Sequence, residues 1–318
     1  MLALQTLAVA AGYLAAGRLG LLRQLVVTGT VSPVWPPTGV AVAALLILGI
    51  RAWAGIALGV VLVIMSITTP SPLAAVNVVG STAAPVLAYL MLRRVGFRTD
   101  LARLRDGLAL VFLAALTAML LSATVGVGLL VVEGELGSGG FWPVWLAWWV
   151  GDAMGVLIVT PVLLLLRAVP LPPHLPFPPP RWREALGLAA ITAAAVPLAA
   201  RSPMSLLFLV YPLLIWAALR FQLAGSMLCA LFTSVVATLA ATDGVGPFAG
   251  LTRVEVMIKL QAFNGTLALT ALLLSAVITE QRNTRRSVER ACQELVEVLE
   301  HLTAGDVSHG RAVKDREG

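Results

Sequence analysis

Residues 141–167 read FWPVWLAWWVGDAMGVLIVTPVLLLLR. A hydrocarbon core of roughly 30 Å takes about 20 apolar residues of helix to cross, and this stretch supplies them. It must be helical there, because lipid cannot satisfy free backbone groups. Four of the chain's eight tryptophans fall between 142 and 149. Trp142 and Trp145 suit an interfacial belt, while Trp148, Trp149 and Asp152 fall deeper. Trp145, Trp149 and Asp152 step by four and three, which places them on one helical face. An acid inside a span costs roughly 2.5–3.5 kcal/mol on insertion scales, so Asp152 should face the bundle interior and have a partner or a use.

The same pattern extends in both directions. Hydrophobic residues make up 59% of the chain and charged residues 12%. Apolar stretches lie at about 2–17, 36–50, 53–68, 73–92, 107–132, 142–166, 184–200, 204–219, 222–241 and 256–279. The expected fold is an all-α polytopic membrane bundle of about 8–10 transmembrane helices, the range reflecting short and Pro- or Gly-broken segments. The first stretch lacks the basic region that precedes a cleaved signal, and reads as a span.

The charges set an orientation. Of the 22 lysines and arginines, 17 fall in every second linker: Arg51, the cluster from Arg93 to Arg105, Arg167 to Arg183, Arg220, and the tail after Glu280. By the positive-inside rule those linkers face the cytoplasm, in a bacterial inner membrane with both termini inside. Linker 134–140, flanked by Glu133, carries Glu135 and no base, as an outside loop should. The net charge of +6 therefore reports membrane anchoring and contact with anionic lipids rather than nucleic-acid binding. The Pro-rich run LPPHLPFPPP (171–180) is extended, because proline fixes φ and removes donors. It reads as a spacer or as a divider between two helical bundles. Cys229 and Cys292 lie in different environments, and neither has metal-ligand spacing. No cofactor is expected.

Three constellations could carry function. The first is Trp35-Pro36-Pro37-Thr38-Gly39, where two prolines suit the first turn of a helix. It reads either as an anchored helix start or as the floor of a pocket open to the outside. The second surrounds Asp152, as a polar clamp between helices or as a ligand or proton-sensing site. Asn77, Gln261 and Asn264 are further intramembrane polar groups, each readable as helix glue or as a ligand contact. The third is the last span, which runs into residues 280–302 without a Pro or Gly break after Gly265. There Val288, Cys292, Leu295, Leu299 and Leu302 step by four and three, an a/d seam over two heptads. It suits a parallel homodimer, or else an amphipathic helix lying on the membrane. Residues 283–302 are expected to form this signalling helix, and 303–318 a disordered tail.

Four segments in order resemble the membrane-associated sensor (MASE) family, type one: WPPTGVAVAALLILGIRAWAGIALG (35–59), WWVGDAMGVLIVTPVLLLL (148–166), YPLLIWAALRFQLAG (211–225) and LQAFNGTLALTALLLSAVITEQR (260–282). The resemblance covers about residues 1–282. It implies an integral-membrane sensory domain, non-enzymatic, which usually precedes a histidine kinase, diguanylate cyclase or phosphodiesterase. Two-component or cyclic-di-GMP signalling is thereby implied, with a separate kinase, a cyclase or a transporter-like protein as partner. No kinase histidine, GGDEF or EAL run, or phosphate-binding GxxxxGK[ST] loop follows. The 36 residues after Arg282 cannot bury a domain core. The output domain is expected to be absent, in a stand-alone sensor or a separately encoded or truncated input half. The alternative class is a transporter or channel in which Asp152 and broken helices line a pathway.

If the heptad seam forms in parallel, two Cys292 residues face each other. Mild oxidation in membranes is then expected to give a disulfide-linked dimer, and Leu295→Asp or Leu299→Asp should abolish it. Cross-linking that survives both changes would remove the seam from the account.

Overall fold

The apolar stretches are helices in the computed structural model, which describes residues 2–21, 32–67, 72–137, 140–168, 179–202, 204 and 206–314. No strand occurs among these residues. The helices are α1 (Leu2–Leu21), α2 (Pro36–Leu48), α3 (Trp53–Met65), α4 (Ala74–Arg94), α5 (Leu104–Val132), α6 (Phe141–Ala168), α7 (Pro179–Arg201), α8 (Val210–Thr242) and α9 (Arg253–Lys314). Six of them, α4 to α9, are long and apolar enough to cross a membrane. α2 and α3 are apolar but only 13 residues each. Glycine is needed between them: Gly49 has φ +79°, after which a single 3₁₀ turn, Ile50–Ala52, reverses the chain.

The two apolar stretches at 204–219 and 222–241 remain two helical arms, both within the range given as α8. Gln222 separates them: its φ of 54° and ψ of −139° are non-helical and lie where a side chain is rarely found, and the chain turns so sharply there that a Cβ on Gly225 would come within 2.9 Å of the Ala217 carbonyl oxygen. Two helices contain π-helical stretches, Leu110–Ala118 in α5 and Gly155–Val159 in α6. The Thr117 hydroxyl reaches back five residues to the Phe112 carbonyl at 2.7 Å, in keeping with the wider turn. The helix at the C-terminus does not stop near 303. It continues to Lys314, so helical conformation extends where the composition suggests disorder. An isolated glycine costs a helix only about 1 kcal/mol, so Gly305 and Gly310 need not end it. The Pro-rich linker 169–178 lies outside the described residues.

Small residues build much of the core. Ala84, Ala88, Ala114, Ala115, Ala118, Ala217, Ala230, Ala268 and Ala271 are fully buried. Such residues let helix backbones approach closely where lipid supplies no hydrophobic drive for association. Large apolar side chains such as Leu4, Val79, Phe112, Leu198 and Phe208 point outward, as a lipid-facing surface permits.

The two ends of the bundle differ in charge. At one end Arg167 donates to the Ile47 carbonyl at 2.8 Å, Glu280 accepts from the Leu104 amide at 3.0 Å, Arg220 pairs with Glu184, and Arg282 donates to the Leu219 carbonyl. Arg93, Arg94, Arg98, Arg103 and Arg105 belong to the same end. The opposite end carries Glu133, Glu135, Asp243 and Glu255 together with Arg18, Arg201, Arg253 and Lys259, so its charges nearly balance among the described residues. There Leu136, Ala200, Phe248 and Met257 share one apolar cluster.

Candidate functional site

The start of α2 and the middle of α6, 114 positions apart in sequence, meet backbone to backbone. Pro36 and Pro37 open α2, where their missing donors cost nothing. The Trp35 amide donates to the Gly151 carbonyl at 2.9 Å. A Cβ on Gly39 would lie 2.1 Å from the Gly155 carbonyl oxygen, and one on Gly155 would lie 2.0 Å from that of Trp35. Gly151 is as close to Ser32: a Cβ there would sit 2.5 Å from its carbonyl oxygen. Only glycine fits at these three positions. The contact brings the Thr38 hydroxyl onto Asp152, donating to Oδ1 at 2.6 Å. About two turns further along α6 the Thr160 hydroxyl donates to the Gly39 carbonyl at 3.1 Å. Asp152 is 2% exposed, and Thr38 and Thr160 are buried with it.

A cavity of about 800 Å³ lies beside this junction. Asp152, Thr38, Trp35 and Trp148 line it, with Tyr13 from α1 and Ser122 from α5. Asn77 and Ser81 of α4 contribute to the wall and are hydrogen-bonded to each other at 3.2 Å. Glu133 and Glu135, both exposed, stand at the cavity's outer end. Asp152 Oδ2 has no hydrogen-bond partner within the protein, although Ser122 and Trp148 are its near polar neighbours. The π-helical stretch of α6 begins three residues after Asp152. π-Bulges are frequent at functional sites, because they re-aim side chains within an otherwise regular helix.

The remaining sequence candidates divide. Trp145 and Trp149 stack at 5.8 Å, but their indole N–H groups tie α6 to α5: Trp145 to Thr124 Oγ1 at 3.1 Å and Trp149 to the Leu116 carbonyl at 2.8 Å. They do not line the cavity. Trp148, four residues before Asp152, takes that place by packing over Gly126, where a Cβ would clash at 2.7 Å. Gln261 of α9 donates to the Ala147 carbonyl of α6 at 2.8 Å, outside the cavity. Asn264 is fully buried, and its side-chain amide has no hydrogen-bond partner. Val288, Cys292 and Leu295 are exposed on the single chain. The side chains of Leu299 and Leu302 lie outside the described residues. Tyr13 and Ser122 carried no sequence signal, being single polar groups in apolar helices. Among the described residues, no group of histidine, cysteine and acidic side chains is arranged to hold a metal.

The family model MASE1 matches residues 4–282, nearly the whole chain. The chain belongs to the MASE1 family. No curated protein and no solved structure matches it. The family is one of sensory input domains rather than catalysts, and this member is a multi-pass membrane domain whose apolar helices form the bundle described above. Within the matched region of this MASE1 domain lie both halves of the α2–α6 junction.

Gly155→Val is expected to force the α2 and α6 backbones apart, with a loss at or above the roughly 1–3 kcal/mol typical of overpacking. A thermal melt in detergent would show it as a large fall in midpoint or as failure to accumulate. Thr38→Val strips the buried Oδ1 of its donor and should cost about 1–3 kcal/mol, whereas Thr38→Ser should be nearly neutral. Equal midpoints for the valine and serine variants would mean that the hydroxyl contributes nothing.

Proposed function

We propose that this chain is a signal-input module of the bacterial inner membrane, with its arginine-rich end and C-terminal helix in the cytoplasm. A stimulus acting at the Asp152 cavity would shift α6, and α9 would carry the shift to a cytoplasmic output or partner. The observation that supports this reading most directly is the hydrogen bond from Gln261 to the Ala147 carbonyl. It joins the helix that bears Asp152 to the one helix that runs on past the bundle. Asp152 lies five residues, or about 7 Å of rise, along α6 from that bond. A displacement at the carboxylate therefore has a short route to α9. α9 is unbroken from Arg253 to Lys314, which suits it to transmit a rotation or a piston shift.

The distribution of charge supports the orientation through the positive-inside rule. The exposed apolar residues Val288 and Leu295 support a homodimer through the C-terminal helix, since an apolar row in water gains from a partner. A separately encoded histidine kinase, diguanylate cyclase or transporter-like protein is the partner class that a family of sensory inputs suggests.

The test joins residue 302 in helical register to a diguanylate cyclase or kinase lacking its own sensor. Gln261→Leu should keep the bundle folded but uncouple output from stimulus, because it removes the α6–α9 bond while preserving side-chain bulk. Unchanged regulation in that variant would eliminate the route through Gln261. With Cys229 and Cys292 replaced by serine, cysteines placed at 137 and 285, both exposed, check the topology: a membrane-impermeant maleimide should label the first from outside and not the second. Labelling of position 285 from outside would overturn the orientation.

A further inference from the structure

We infer that the cavity beside Asp152 binds a small organic ammonium ion, entering past Glu133 and Glu135 and seating its charged head against the Asp152 carboxylate. This rests on the sensory reading only for its role in signalling; the binding itself does not require it. Four observations converge.

First, the cavity wall holds a buried acid with no cationic partner among the described residues. Asp152 is 2% exposed, Oδ1 is held by Thr38, and its other polar neighbours, Ser122 and Trp148, carry no charge. A positive charge beside it would offset the cost of burying the carboxylate. Second, the walls supply no cation of their own. Among the described residues that line the cavity there is no lysine, arginine or histidine. An anionic ligand would meet only repulsion there. Third, the aromatic side chains Tyr13, Trp35 and Trp148 surround the acid. Ring faces attract ammonium groups, and tryptophan does so most strongly, whereas they offer little to a hydrated metal ion. Fourth, the way in is acidic. Glu133 and Glu135 stand exposed at the outer end and raise the local concentration of cations.

The dimensions suit an organic molecule. About 800 Å³ falls within the roughly 300–1,000 Å³ of small-molecule sites. Ser122, beside Asp152, lies eleven residues before Glu133 along α5, a rise of roughly 16 Å. The walls between include Val60, Ile64, Leu129 and Leu130, which would bury methylene or methyl groups. A charged head at the bottom, an apolar body in the middle and acids at the entrance describe an amine with a hydrocarbon portion. Choline and spermidine are the natural probes.

The experiment uses the full chain in lipid nanodiscs, with binding measured by calorimetry at low salt. Choline or spermidine should bind saturably, and neither glutamate nor glucose 6-phosphate should compete. Asp152→Asn keeps the Thr38 hydrogen bond and should weaken binding about tenfold or more, with a thermal midpoint near that of the parent. The exposed pair Glu133→Gln and Glu135→Gln, which cannot disturb the core, should weaken it about threefold at low salt and not at about 0.5 M. If Asp152→Asn fails to fold, the double variant decides alone. Failure of both amines to bind, binding indifferent to the variants that fold, or tighter binding of either anion would overturn the assignment. Amine binding without any change in a fused output would leave the site standing and remove the sensory role. A fused output that answers some stimulus while both amines fail to bind would do the reverse.

Discussion

Three glycines hold this bundle's centre together by what they lack. Gly39, Gly151 and Gly155 let the entrance to α2 lie on α6 with carbonyl oxygens where side chains would otherwise be. Lipid gives helices little reason to associate, so close backbone contact, with its dispersion and hydrogen bonds, must supply much of the attraction. The Trp35–Gly151 bond joins the residue that caps α2 to the backbone of α6, and it satisfies an amide that has no partner within its own helix. Thr38 and Thr160 then fasten the two sides of the contact. α1, α3 and α4 gather around α2, and α5 and α9 around α6, so both halves of the bundle inherit their placement from this seam.

The acid at the junction has two aspects that the geometry separates. Oδ1 serves packing, because Thr38 bonds it across the helix interface. Oδ2 makes no such bond to α2, and the polar groups of Ser122 and Trp148 are its neighbours instead. A pure clamp would be better made from an asparagine or a serine, which lock helices without carrying a charge into hydrocarbon. The cost of a carboxylate here is offset when the cavity beside it is occupied by its complement. A ligand at the proposed site would therefore touch a residue of the structural joint, which gives occupancy of the cavity a way to bear on helix positions.

Much of the fold was legible in the sequence because its signals are long. Spans of apolar residues and the alternation of arginine between linkers need no tertiary knowledge. The break at Gln222 was visible as a gap between apolar stretches at Arg220 and Phe221, and the structure keeps two helical arms there. Its sharpness depends on a left-handed φ at one residue, which composition does not encode. The site was half legible. WPPTG and GDAMG stood out separately, and Asp152 by its cost. Their meeting depends on helix order across 114 positions, which no local pattern contains. Face geometry misassigned the tryptophans: Trp145, Trp148 and Trp149 all lie within reach of the Asp152 face on a helix of 3.6 residues per turn. Only packing chose Trp148, because Gly126 left room opposite it. Tyr13 was invisible, since a tyrosine in an apolar helix is ordinarily an interfacial residue.

An uninterrupted α9 has a further geometric property. Its 62 residues span about 93 Å at 1.5 Å each, and every residue advances the azimuth by about 100°. Whatever is attached beyond the bundle is therefore indexed like a tooth on a gear. Lengthening the connection by one residue turns the attached body by more than a quarter turn, while adding seven returns it almost to its starting angle, displaced by about 10 Å. Evolution can join such a rod to very different cargoes, provided the splice respects that periodicity. Insertions and deletions along it should then be tolerated in groups of seven and selected against singly.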